Sequence, residues 1–156
     1  MDLLKEFLRG FNPYFIPAAL ICIPIHECAH GYAADRLGDP TARLSGRLTL
    51  NPIRHIDLIG FLLMVFAGFG WARPVQIDTR YFKKPKRDMA LTALAGPVSN
   101  FILAFALMTL FAPFSRFFPE GTFKVIVSNF LINTAFLSVG LGVFNLVPVS
   151  PLDGSK

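Results

Sequence analysis

Apolar residues fall into four long stretches separated by short charged or turn-rich connections. The first runs over about residues 11–34 and carries no charge between Tyr14 and Ile25. The second covers 56–70, the third 89–111, and the fourth about 123–147. About 20 apolar residues in a helix cross the roughly 30 Å of bilayer hydrocarbon. The first, third and fourth stretches therefore predict crossing helices. The second is short for a crossing and has strongly basic loops on both sides, so it predicts a re-entrant or membrane-embedded hairpin, with a short tilted span as the alternative. Pro113, Pro119 and Gly121 break the chain between the third and fourth. Residues 47–50 and 73–77 alternate partially and predict short extended strands that pair with each other beside the second stretch. The pattern predicts an all-α polytopic membrane protein. It has about three core transmembrane helices, a re-entrant or short fourth apolar segment, and short membrane-associated β-strands.

Composition strengthens the membrane reading. The chain is 53% hydrophobic and 16% charged, with 17 phenylalanines and a mean hydropathy of +0.53. A soluble domain of this length needs far more charge to cover its surface. No linker, low-complexity tract or repeat divides residues 1–156, which predicts a single membrane-embedded core. The first ten residues mix acids with bases and lack a small-residue cleavage site, so they are not read as a removed signal peptide.

The net charge of +5 does not point to nucleic acid, because its bases do not line a face with interleaved aromatics. They cluster in two loops, Arg36, Arg43, Arg47 and Arg54 in one, and Arg73, Arg80, Lys83, Lys84, Lys86 and Arg87 in the other. Short basic loops beside apolar segments mark the cytoplasmic side. The first stretch then enters from outside, the third goes out and the fourth returns. The connection holding Arg116, Glu120 and Lys124 is the outer one.

Candidate chemistry sits at the end of the first stretch, in His26-Glu27-Cys28-Ala29-His30. Residues four apart share a helix face, so two imidazoles can aim at one metal ion. Glu27 projects beside them, placed to take a proton from a water at that metal. A chance match on a soluble helix would be unremarkable, but here two histidines and a glutamate close an uncharged run, where they are costly unless something binds them. The orientation brings the end of the fourth stretch, Pro148-Val-Ser-Pro-Leu-Asp153-Gly154, to the same side and a similar depth. Catalytic zinc commonly takes three protein ligands, and Asp153 is an acceptable third; alone, Asp-Gly would read as a simple turn. Cys22 and Cys28 read as packed thiols, with a stray role of Cys22 at the metal left open. His55 in His55-Ile-Asp57 reads as an interfacial hydrogen-bonding group rather than a second metal ligand. Asn129 and Asn133, with Ser128 and Thr134, read as glue between spans.

These motifs resemble a known family. His26-Glu27-x-x-His30, Gly96-Pro97-x-x-Asn100 and Asn145-x-x-Pro148-x-x-Pro151-Leu152-Asp153-Gly154 look like the site-2 proteases, which are intramembrane zinc metalloproteases. Gly70-Trp71-Ala-Arg73-Pro74-Val75, Asn51-Pro52 and His55-Ile-Asp57 are similar to the compact prokaryotic branch without PDZ or CBS domains. The resemblance implies one Zn2+ per chain held by His26, His30 and Asp153, with Glu27 as general base and acid. It also implies hydrolysis of peptide bonds in or near transmembrane segments of membrane-protein substrates. The expected setting is a prokaryotic inner membrane, with the active site toward the cytoplasm. Asn100 and Asn145 are candidate transition-state or substrate contacts. Family members continue into further helix beyond the position of Lys156, so the chain is expected to be a core truncated at its C-terminus.

Two departures from this reading use the same residues differently. A transporter would pass a metal or other ion through His26, Glu27, His30 and Asp153. An inactive scaffold would bind membrane partners with the site idle. The nature of the cleaved substrate and the oligomeric state leave no trace in the residues.

Overall fold

A computed structural model describes residues 12–67 and 70–147. Helix α1 (Phe15–Leu37) opens the described chain. Asn12 starts it, its side chain accepting from the Tyr14 amide at 3.0 Å and its carbonyl from Phe15 at 3.0 Å. Gly38 ends it at φ 113°, a conformation costly for any residue with a Cβ. Its N–H reaches the Asp35 carbonyl, and the Asp39 N–H reaches that of Ala34. A short α2 (Thr41–Leu44) and a 3-10 turn (Pro52–Arg54) follow, then α3 (Leu58–Ala67) and a second 3-10 turn (Thr79–Tyr81). Two long helices complete the fold, α4 (Pro85–Phe117) and α5 (Thr122–Leu146).

The three long helices meet along rows of residues spaced by four. On α1 the row is Ala18, Cys22, His26, His30 and Ala34; on α4 it is Asp88, Thr92, Gly96, Asn100 and Ala104; on α5 it is Thr134, Ser138 and Gly142. All are buried. They are small or polar, so the backbones approach closely and cross-helix hydrogen bonds replace an oily core. Cys22 Sγ reaches the Thr134 carbonyl at 3.6 Å, and Ser138 Oγ donates to the Asn100 carbonyl at 2.8 Å. A side chain at Gly142 would crowd the Phe101 ring and the Pro97 carbonyl.

Large apolar side chains point the other way. Phe105 is 76% exposed and Phe136 82%. Helices α4 and α5 are each long and apolar enough to cross a membrane, yet only 22% of each apolar window is buried. The core helix of a soluble protein would have that surface covered; here it is open, as a face toward lipid would be. Helix α1 falls short of the same apolar standard among the described residues, because His26, Glu27 and His30 interrupt its hydrophobic run.

Two expectations change, and a third takes a definite form. Pro113 does not break the third stretch: α4 runs through both Pro97 and Pro113 to Phe117, and the break falls at residues 118–121. The second stretch folds into only ten helical residues, about 15 Å at 1.5 Å per residue. Its ends are tied together by an antiparallel bridge between Ile56 and Ala72 and by the Arg73 N–H on the His55 carbonyl at 2.8 Å. Gly60 and Gly70 approach so closely that a Cβ on either would overlap the other limb, Trp71 O in one case and Gly60 O in the other. The two ends of the segment thus meet at one place.

The expected pairing of 47–50 with 73–77 is the second correction, since no strand ladder forms among the described residues. Residues 47–50 close on their own loop. The Arg47 N–H bonds the Ala42 carbonyl, Thr49 N–H bonds the Arg47 carbonyl, and the Thr49 carbonyl accepts from His55 Nε2 at 2.8 Å. Residues 73–78 spend their donors elsewhere: Arg73 on His55, Val75 on the Glu27 carboxylate at 2.9 Å, and Asp78 on the Asp39 carboxylate at 2.7 Å. Side chains of α1 and of the corner after it occupy the place of a partner strand.

Candidate metal centre

His26 and His30 lie one turn apart on the buried row of α1, and α4 covers both. Their Nε2 atoms face each other at 3.0 Å, with the rings nearly perpendicular at 83°. Outer contacts hold each ring. His30 Nδ1 lies 2.7 Å from the Thr92 carbonyl, which can only accept, so the proton sits on Nδ1 and Nε2 carries the lone pair. His26 Nδ1 lies 3.0 Å from the Asn100 amide group. As placed, Asn100 donates to His26 Nδ1, His26 Nε2–H donates to His30 Nε2, and His30 donates to Thr92, a chain of consistent polarity. A half-turn of the Asn100 amide presents Oδ1 to His26 instead, moves the imidazole proton to Nδ1 and frees the second Nε2 lone pair. Two lone pairs then converge, an arrangement that a cation bound by both stabilises.

The residues fit a divalent metal of the zinc type. Nitrogens at 2.0–2.1 Å from a tetrahedral zinc are about 3.3 Å apart, close to the spacing here. Gly96 supplies the room: a Cβ there would stand 2.6 Å from His30 Cε1, 2.7 Å from His26 Cε1, and closer still to His30 Nε2. Among the described residues no third carboxylate, imidazole or thiol joins the pair. Asp153, the expected third ligand, lies outside the described residues.

Glu27 leaves the same helix beside the pair and takes the Val75 N–H on Oε2. The segment bearing Val75 is anchored at its far end by Asp39. That fully buried carboxylate accepts from the Thr41 N–H at 2.9 Å, from the Thr41 hydroxyl, and from the Asp78 N–H. Beyond the anchor, the Arg80 guanidinium beside Asp78 holds that carboxyl below the usual carboxylate range.

Asn100 is fully buried and contacts His26 itself. Asn145 does not join the site; its Nδ2 donates to the Leu141 carbonyl of its own helix at 2.8 Å. Cys22 and Cys28 are free thiols, and Cys22 turns to α5 rather than to the histidines. His55 is fully buried rather than interfacial, clasping the Thr49 carbonyl. Asp57 caps α3 through the Gly60 N–H at 2.9 Å, so His55-Ile-Asp57 forms no second centre. Asn133 ties α5 to the approach to α1 through Asn12 at 2.6 Å. Thr92, Ser138 and Asp39 escaped the sequence reading. The spacing of four among Thr92, Gly96 and Asn100 and among Thr134, Ser138 and Gly142 was a usable signal, whereas the Thr92 contribution is a backbone carbonyl and left none.

A paired-histidine centre thus lies buried among helices whose outer faces are apolar. The chain belongs to Peptidase family M50, which it matches over residues 14–122, the family of the site-2 proteases that its motifs resemble. It is 41% identical over 158 residues to "Putative zinc metalloprotease YwhC" of Bacillus subtilis strain 168, covering 100% of this chain and 72% of that protein. It is 31% identical over 141 residues to "Putative zinc metalloprotease Rip2" of Mycolicibacterium smegmatis, covering 86% of this chain and 52% of the relative. No solved structure gives a significant match.

Proposed function

We propose that the protein is a zinc-dependent endopeptidase of the membrane interior, with His26, His30 and Asp153 holding one metal ion per chain and Glu27 moving the protons. The convergence of the two Nε2 atoms opposite Gly96 carries this reading. Bound zinc supplies a Lewis acid that makes water available as a nucleophile near neutral pH and polarises a carbonyl. Glu27 then accepts the proton of the attacking water and delivers it to the departing amine. The Val75 N–H holds the Glu27 carboxylate in place for both transfers. Thr92 and Asn100 keep the imidazoles in the ligating tautomer.

The substrate class is a transmembrane protein or peptide segment, unwound locally so that its backbone is open to attack. Residues 73–78 run past Glu27, and the main-chain groups of Gln76 and Ile77, which are not among those bonded to His55, Glu27 or Asp39, are left to meet such a segment. Helix α1 serves as the third crossing helix beside α4 and α5, and residues 56–72 dip into the membrane and return. The basic loops favour a centre that faces the cytoplasm of a prokaryotic inner membrane.

The test is zinc content and cleavage of a transmembrane substrate by the full chain. Glu27→Gln should keep its zinc and lose about 10²–10⁴-fold in rate, the usual span of general acid–base catalysis. His26→Ala and Asp153→Ala should lose zinc and cleavage together. Cleavage by Glu27→Gln near the parent rate would refute the mechanism. Metal flux into liposomes without proteolysis would favour a transporter.

A further inference from the structure

At the end of α1 and α4 that carries the basic loops, a cavity of about 320 Å3 lies between the two helices, lined by Arg36, Leu37, Gly38, Lys83, Lys84, Arg87 and Asp88. Four cations surround it. Among the described residues none of the four is in an ion pair, and the neighbouring acids are engaged elsewhere. Asp35 pairs with Arg43 at 3.1 Å, Asp39 holds Thr41 and Asp78, and Asp88 is buried against the Lys84 N–H at 2.9 Å. Tyr32 steadies the Arg36 guanidinium, which sits 4.8 Å above its ring. The start of the 33-residue α4 adds the positive end of its dipole. Like charges lining one cavity repel one another, and an anion relieves the repulsion.

The surface beside the cavity shows which kind of anion fits. Along α4, residues 4, 7 and 11 positions after Arg87 share its face. These are Leu91, Leu94 and Val98, and they are 43%, 47% and 49% exposed. A cationic cavity thus opens directly onto an exposed apolar strip leading toward the membrane interior. Free phosphate would use the first and leave the second bare. A lipid uses both.

We propose that this cavity binds the phosphate headgroup of an anionic phospholipid, with an acyl chain lying along Leu91, Leu94 and Val98. The site is separate from the metal centre: Arg36 lies six positions after His30, about 9 Å along the helix.

The detergent-solubilised full chain should be titrated with phosphatidylglycerol, with phosphatidylcholine and with inorganic phosphate. Bound lipid is counted by native mass spectrometry, and phosphate is followed by calorimetry. Phosphatidylglycerol should bind one per chain, more tightly than phosphatidylcholine and less tightly as salt rises. The double substitution Lys84→Gln with Arg87→Gln should weaken it about thirtyfold, at about fivefold per cation. Exchanging the two cations, Lys84→Arg with Arg87→Lys, should keep the binding, as should Arg116→Gln with Lys124→Gln at the opposite end. Equal affinity for the two lipids, or no loss in the Gln pair while its thermal midpoint without lipid matches the parent, would overturn the proposal. Inorganic phosphate binding as tightly as phosphatidylglycerol would overturn the lipid assignment and leave a soluble phosphate as the ligand.

Discussion

Replacing Gly96 by alanine adds one methyl group, and the structure sets its cost. In a helix interior the change should help by about 1 kcal/mol, because alanine has the higher helix propensity. The new Cβ, however, stands 2.6–2.7 Å from ring carbons of both histidines, whereas carbon contacts are comfortable from about 3.5 Å. The rings must retreat by about 1 Å or the helices must part. Overpacking of this kind costs about 1–3 kcal/mol, so the net loss of stability should be small, about 0–2 kcal/mol. The metal centre tolerates far less, since ligand distances hold to about ±0.2 Å. Gly96→Ala should therefore purify folded, with a thermal midpoint lowered by no more than about 8 °C, and without stoichiometric zinc or peptidase activity. Gly140→Ala is the matched control: nothing lies within 4 Å of its Cβ position, and it should gain stability and keep its zinc. The assay is zinc per chain by elemental mass spectrometry beside a thermal melt of each protein. A Gly96→Ala protein with full zinc and parent activity would refute the reasoning that the two rings need that space.

Three further outcomes follow from contacts around the centre. Asn100→Ala removes the partner of His26 Nδ1 and should weaken zinc binding about 10–100-fold in a competition titration with a chelator, as loss of an outer-contact residue usually does. Val75→Pro deletes the N–H held by Glu27; substrate hydrolysis should collapse while zinc content stays at one per chain, and normal cleavage would remove residues 73–78 from the mechanism. Asp39→Ala strips a buried carboxylate that accepts three hydrogen bonds and should destabilise the protein by about 2–4 kcal/mol, read as a lower thermal midpoint and faster proteolysis around residues 73–78.

Much of this protein is legible along the chain because its solvent sorts residues so severely. In hydrocarbon every backbone group must be bonded within its own segment, so long apolar runs become helices, and α1, α4 and α5 fall where the runs lie. The same severity singles out His26, Glu27 and His30, because such groups do not persist in an apolar run without a task. Helix periodicity then puts both imidazoles on one face, needing no other part of the chain. What the chain could not reveal arises between segments. That Gly96 faces the rings, that Thr92 contributes a carbonyl and Asn100 an amide to them, and that Val75 binds Glu27 all depend on how α4 and the loop before it lie against α1. Pairing was misjudged at residues 47–50 and 73–77 for the same reason, since alternation announces an extended backbone but not its partner. Here a glutamate and a buried aspartate accept the hydrogen bonds that a neighbouring strand would otherwise have taken. Local spacing fixes which side chains share a face; only the packing of one face on another decides what they touch, because those contacts join residues far apart in the chain.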